Sequence, residues 1–116
     1  MLLRTRPVAS GPHFGVHARA VTDDAAGVRG RLIVAAPRRV LRRAVERNAM
    51  RRVAREAWRA AGLHRRPVVA LLRIRARFEL DEPGAGLPAR KRLAREELDR
   101  LFVQADAALR RRGDLR

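Results

Sequence analysis

The segment ERNAMRRVARE, residues 46–56, limits the possible folds of this chain more than any other stretch. It packs four arginines and two glutamates into eleven residues. Across it, Val45, Ala49, Val53 and Ala57 recur at a constant spacing of four, and Arg47, Arg51 and Arg55 repeat that spacing two positions on. Residues four apart share one face of a helix. The pattern predicts a helix from about Leu41 to Ala61 with an apolar stripe at 45, 49, 53 and 57, widened by Met50 and Ala54. Arginines lie roughly opposite, with Asn48 and Arg52 beside them, and Gly62 is the stop signal. A helix docked by one face on a protein core and by the other on an anion needs both stripes.

On either side of this segment the period changes to two. Ser10-Gly11-Pro12 reads as a turn into a strand at 13–21, where Phe14, Val16, Ala18 and Ala20 alternate with His13, Gly15, His17 and Arg19. After a loop at 22–27, a second strand covers 31–36 and ends at Pro37. A third is expected over 67–78, with Leu72, Ile74, Ala76 and Phe78 facing one way and Arg73, Arg75 and Arg77 the other. A loop with Pro83, Gly84, Gly86 and Pro88 leads to a last helix, about Ala89 to Arg112, whose apolar positions are Leu93, Leu98, Leu101, Phe102 and Leu109. Two strands, a helix, a strand and a helix give an α+β class: a small two-layer α/β sandwich with a mixed sheet and both helices on one face. The other face is then free to carry arginine. One domain over residues 1–116 is expected, with 1–12 irregular.

Charge narrows the partner. Twenty-eight basic residues against 12 acidic give a net charge of +16, which repels itself in a compact state and favours polyanions. Lys91 is the single lysine, so the surplus is guanidinium, which grips phosphate in a bidentate way and stacks on bases. Alanine supplies 21 of the apolar positions, beside three Phe and one Trp, so large core side chains are few. The chain has no cysteine, and no apolar run approaches the ~20 residues a membrane span needs. Residues 1–7 make a poor signal peptide, so a cytoplasmic protein without a membrane or small-molecule partner is expected.

Catalytic groups are scarce. The only hydroxyl side chains are Thr5, Ser10 and Thr22. His13 and His17 on a strand lie about 13 Å apart at ~3.3 Å per residue, too far to share one ion, so no metal site is expected. Glu96, Glu97 and Asp99 are read as helix-surface partners of nearby arginines, and the other acids fall at Asp23-Asp24 and Glu79 to Glu82. No catalytic residue is assigned. Phosphate ligands, by contrast, are plentiful: nine arginines fall between Arg38 and Arg59, against Glu46 and Glu56. The residues alone point to nucleic-acid binding and do not separate RNA from DNA.

The run PRRVLRRAVERNAMRRVAREAWR resembles the signature of the protein subunit of bacterial ribonuclease P. The match comprises Arg38-Arg39 after a strand, then Arg42-Arg43-Ala44-Val45-Glu46-Arg47-Asn48, then Arg51-Arg52 and Arg55-Glu56. With the strand and helix that follow, it covers roughly residues 13–112. The resemblance implies a left-handed βαβ crossover, against the usual hand. It also implies a binding role within a ribonucleoprotein whose catalytic RNA, with Mg²⁺, removes the 5′ leader from precursor tRNA. By position, Arg38, Arg39, Arg42, Arg43, Arg47, Asn48, Arg51, Arg52 and Arg55 would meet the RNA subunit. His17, Arg19, Arg73 and Arg75 would line the cleft that holds the leader. Family members usually begin with a first helix carrying phenylalanines. Here twelve residues without an aromatic precede the first strand, so that helix is expected to be missing, through a misassigned start or a different grip on the leader. Two other readings stay open: a ribosomal or ribosome-assembly RNA-binding protein, and a DNA-binding protein using residues 41–61 in the major groove, where Asn48 and the glutamates are the only polar readers.

Overall fold

The computed structural model describes residues 6–21, 30–79 and 86–112. The expected loop at 22–27 lies outside these residues, as does most of the loop between Glu79 and Pro88. In chain order the elements are β1 (Ala9–Ser10), β2 (Phe14–Ala20), β3 (Arg31–Ala35), α1 (Ala44–Ala60), a 3₁₀ turn (Leu63–Arg65), β4 (Val68–Ile74) and α2 (Leu87–Arg111). The four strands form one sheet in the order β1-β2-β4-β3. β1 pairs antiparallel with β2 and β2 with β4, whereas β3 runs parallel to β4. The sheet is mixed, as expected, and α1 connects its parallel pair.

Register sorts the side chains into two faces. Phe14 lies opposite Ile74, Val16 opposite Leu72 and Ala18 opposite Ala70. These residues form one buried cluster with Met50, Val53, Ala54, Ala57 and Trp58 of α1 and Ala94, Leu98, Leu101, Phe102, Ala105 and Leu109 of α2. Both helices therefore cover the same sheet face. At the helix–helix contact the Trp58 and Phe102 rings meet edge to face, with centroids 5.4 Å apart, the arrangement their quadrupoles favour.

Two glycines are needed for their small size or backbone conformation. Gly62, at φ 76°, takes the left-handed conformation just past α1, and its N–H closes onto the Arg59 carbonyl. At Gly30 a Cβ would stand 2.0 Å from the Leu63 carbonyl oxygen. There the chain enters β3 pressed against the 3₁₀ turn, with its N–H on the His64 carbonyl.

Four expectations are corrected. Residues 1–12 are not irregular throughout, because Ala9 and Ser10 form β1 and the Val8 N–H donates to the Val16 carbonyl. The third strand ends at Ile74 rather than 78, and residues 75–79 leave the sheet. α1 begins at Ala44, not Leu41, because the N–H groups of Val40 and Leu41 both fold back onto the Pro37 carbonyl. Finally, the apolar stripe of α1 is rotated. Val45 is 62% exposed, whereas Glu46, Met50 and Trp58 are buried with Val53, Ala54 and Ala57. Two series with a spacing of four adjoin on this helix, 45/49/53/57 and 46/50/54/58. The second carries Met50 and Trp58, and burying those larger surfaces gains more than burying Val45 and Ala49.

Candidate nucleic-acid interface

Glu46 sets the geometry of the α1 N-terminus. Its carboxylate is buried by the helix rotation and receives Arg77 in a two-pronged contact: Nε to Oε1 at 2.9 Å and Nη2 to Oε2 at 3.3 Å. The hydrogen bond with Glu46, and then the attraction of its charge, hold the Arg77 guanidinium above arginine's ordinary range against the opposing effect of burial. Arg77 was expected on the far sheet face. It reaches α1 instead because β4 has already ended at Ile74. An open hollow of ≈ 360 Å³ lies there, lined by Val40, Arg42, Arg43, Glu46 and Arg77. Its one carboxylate is already engaged, so its field is positive.

The arginines singled out from the sequence divide by what they touch. Arg47 is half-buried, and its Nη1 donates to the carbonyls of Leu41 (2.9 Å) and Arg42 (3.0 Å). It thereby fastens the turn ahead of the helix. Arg51, also half-buried, touches the Asn48 side chain at 3.4 Å. Arg38, Arg39, Arg42, Arg43, Arg52 and Arg55 are exposed, and their guanidinium groups make no hydrogen bond or ion pair among the described residues. The acids pair elsewhere: Glu97 with His13, Asp106 with Arg66 and Arg110, and Asp99 with Arg95. Arg95 also lies 3.9 Å from Glu56 on the outer side of α1. An unneutralised guanidinium surface thus runs from the β3–α1 turn along α1.

A second basic surface lies on the sheet face away from the helices. Strand register places Gly15, Arg73 and Ala35 in one row, His17, Leu71 and Ile33 in the next, and Arg19, Val69 and Arg31 in a third. A central row with an imidazole and two aliphatic side chains is therefore flanked by cations. Arg19, Arg31 and Arg73 are exposed, as is Ile33 at 54%. His17 is the residue that the resemblance placed in the leader cleft. It is only 6% exposed, and its Nδ1 has no hydrogen-bond partner among the described residues. Arg75 departs further. Its Nη2 donates to Ser10 Oγ (2.7 Å), to the Gly11 carbonyl and to the Phe14 carbonyl (3.2 Å), so it braces the β1–β2 turn. Arg31 and Ile33 were missed as members of this face, although the period of two in RLIVA contained the signal.

No group of three or more His, Asp or Glu side chains converges as a metal site among the described residues. Nor is any helix among them long and apolar enough to cross a membrane. Among the described residues the chain presents a positively charged double surface. A family model described as Ribonuclease P matches residues 1–106 of this chain.

The chain belongs to the ribonuclease P protein family. The ribonuclease P protein component of Ralstonia pickettii (strain 12J) is 36% identical over 108 residues, 90% of this chain and 71% of that protein. The ribonuclease P protein component of Paraburkholderia xenovorans (strain LB400) is 32% identical over 112 residues, covering 96% and 77%. The solved structure of the Staphylococcus aureus RNase P protein superposes with a TM-score of 0.59 at 18% identity, covering 83% of this chain and 77% of that one. At that identity it speaks for the ribonuclease P protein fold alone, and the mixed four-stranded sheet with two helices agrees with it.

Proposed function

We propose that this chain is the RNA-binding subunit of a ribonuclease P ribonucleoprotein and acts through binding rather than catalysis. One observation carries the reading: the exposed arginines of the β3–α1 turn and of α1 have no carboxylate partners among the described residues. Like charges kept so close cost a few tenths of a kcal/mol per helical pair, a cost that RNA phosphates would offset. In this proposal Arg38, Arg39, Arg42, Arg43, Arg52 and Arg55 contact the catalytic RNA. Arg47 and Asn48 shape the helix end beside them, and Arg51 joins from the helix edge. The left-handed crossover implied by the resemblance belongs to the same reading.

The far sheet face is proposed to hold the single-stranded 5′ leader of precursor tRNA. Arg19, Arg31 and Arg73 would take its phosphates, and the row of His17, Leu71 and Ile33 would support its bases, since unpaired bases lie against flat or apolar side chains. Arg75 is assigned to bracing this face rather than to direct contact. Mg²⁺, the metal of the hydrolysis, is placed on the RNA. Among the described residues no group of three or more carboxylates and imidazoles gathers to hold it.

The test is cleavage of precursor tRNA by the cognate ribonuclease P RNA at low Mg²⁺, with and without the protein. Wild type should restore cleavage, and Arg52→Ala/Arg55→Ala should weaken the rescue by lowering RNA affinity while leaving the melting temperature unchanged. Full rescue by that double variant would remove α1 from the interface. Absence of specific binding to the RNA would return the chain to the ribosomal alternative.

A further inference from the structure

The rotation of α1 exposes an apolar strip at the start of the helix, and α2 meets it there. Val45, Asn48 and Ala49 of α1 and Leu87 and Lys91 of α2, with Arg52, line an open groove of ≈ 210 Å³. Three of the six are aliphatic, two are cations and one is an amide, and none is acidic. Neither the Arg52 guanidinium nor the Lys91 ammonium has a hydrogen bond or ion pair among the described residues. Lys91, the one lysine of the chain, was given no role by the sequence reading, and Val45 was expected in the core.

The lining selects the occupant. Double-stranded RNA presents phosphates and 2′-hydroxyls to a protein and hides the faces of its bases, so a duplex would leave Val45 and Leu87 against water. A second copy of this chain would set another +16 against Arg52 and Lys91. The groove is smaller than the about 300–1,000 Å³ of sites for drug-sized ligands, which suits one flat group. An aliphatic lining beside two cations, with an amide able to pair with a base edge, matches one unpaired nucleotide.

We propose that the groove between α1 and the start of α2 holds a single unpaired nucleotide of the RNA. Its base lies against Val45, Ala49 and Leu87 within reach of the Asn48 amide, and its flanking phosphates rest on Arg52 and Lys91. This rests on the RNA-subunit reading above and adds a base-sized subsite to what would otherwise be a purely electrostatic contact.

The experiment measures binding of the full-length protein to the cognate ribonuclease P RNA over a salt series. Val45→Ser should weaken binding about fivefold through lost apolar contact, with the salt slope unchanged. Lys91→Ala should weaken it and make the slope shallower by about one. Val103→Ser makes the same chemical change at another exposed valine, 64% exposed on α2, and should leave binding unaltered. Because the chain has no cysteine, Val45→Cys carrying a photo-crosslinker gives a direct second readout, expected at one unpaired nucleotide. Crosslinks spread over paired segments, or equal affinities for Val45→Ser and wild type, would overturn the groove while leaving the RNA partner intact. Binding of an acidic peptide that depends on Val45, with RNA binding that does not, would assign the groove to a protein. Failure of the wild type to bind that RNA specifically would overturn both readings together.

Discussion

Glu97 holds His13 through both of its carboxylate oxygens: Oε2 accepts the His13 backbone N–H at 2.9 Å, and Oε1 meets the ring Nδ1 at 2.8 Å. Oε2 also accepts the Phe14 N–H at 3.0 Å. The helix residue is only 4% exposed, so the contact pins the start of β2 to α2 where the chain turns out of β1. The His13 ring is clamped from its other side by Phe78, with centroids 3.7 Å apart.

Replacing Glu97 by alanine should therefore strand two backbone donors. The expected loss is about 3 kcal/mol, from unsatisfied buried groups at about 1–3 kcal/mol each. Urea denaturation followed by the fluorescence of Trp58, the chain's single tryptophan, measures it. Gly11→Ala should act on the same joint, since a Cβ there would meet Glu97 Oε2 at 2.7 Å. A midpoint unchanged in Glu97→Ala would mean that the turn does not depend on this carboxylate.

Gly30→Ala is expected to be more damaging than its size suggests. The added methyl meets a backbone carbonyl rather than a movable side chain, so β3 or the 3₁₀ turn must shift, at a cost of about 3 kcal/mol. Thermal melting with and without excess RNA checks it. A fall of the melting temperature by only a degree would show that the junction has slack.

Arg73, on the outer sheet face, and Arg75, one residue past the end of β4, should separate cleanly. Arg73→Ala should keep the wild-type stability within about 0.5 kcal/mol, as surface changes usually do, and weaken binding of precursor tRNA relative to tRNA without a leader. Arg75→Ala should cost about 1–2 kcal/mol by freeing the acceptors around Ser10, Gly11 and Phe14. Paired measurements of melting and of leader-dependent binding distinguish them. Identical profiles for the two variants would contradict the assigned division of labour.

The Glu46–Arg77 pair should show an asymmetry. Arg77→Ala leaves the buried Glu46 carboxylate without its guanidinium and should cost about 2–3 kcal/mol, whereas Glu46→Gln releases an arginine that is already 46% exposed and should cost less. The pH behaviour follows from the raised position of Arg77. A basic group raised on folding contributes stability that is fully present below its unfolded value and is lost only as pH rises through the folded one. That window lies above arginine's ordinary range, so between pH 6 and 9 the difference between wild type and Arg77→Ala should stay constant as far as the guanidinium is concerned. A midpoint difference that shrank steadily toward pH 9 would contradict it.

Much of this is legible in the sequence. Alternation in β2 and β4 placed Phe14, Val16, Leu72 and Ile74 inwards correctly, because a period of two leaves no choice of face once the larger residues are known. The arginine run was legible because charge and spacing are local properties. Less accessible were facts set by distant partners. Val45 and Glu46 exchanged places because Met50 and Trp58 compete for the core and because Arg77, thirty-one residues away, donates to the buried Glu46 carboxylate. Arg75 reads as a surface cation until the β1–β2 turn is folded beneath it. Two-residue β1 carries too little pattern to show in a sequence at all.

The sheet order β1-β2-β4-β3 also bears on the moment of synthesis. Both β2 and β3 pair with β4 and neither pairs with the other, so a nascent chain lacks the central strand until Val68–Ile74 has emerged. Until then only the short β1–β2 ladder can close, and α1, arginines outward, has no completed sheet on which to settle. Contacts that wait on distant sequence form late and leave apolar surface open meanwhile. A growing chain of this kind therefore exposes the arginines of α1 before the strand that joins its sheet exists.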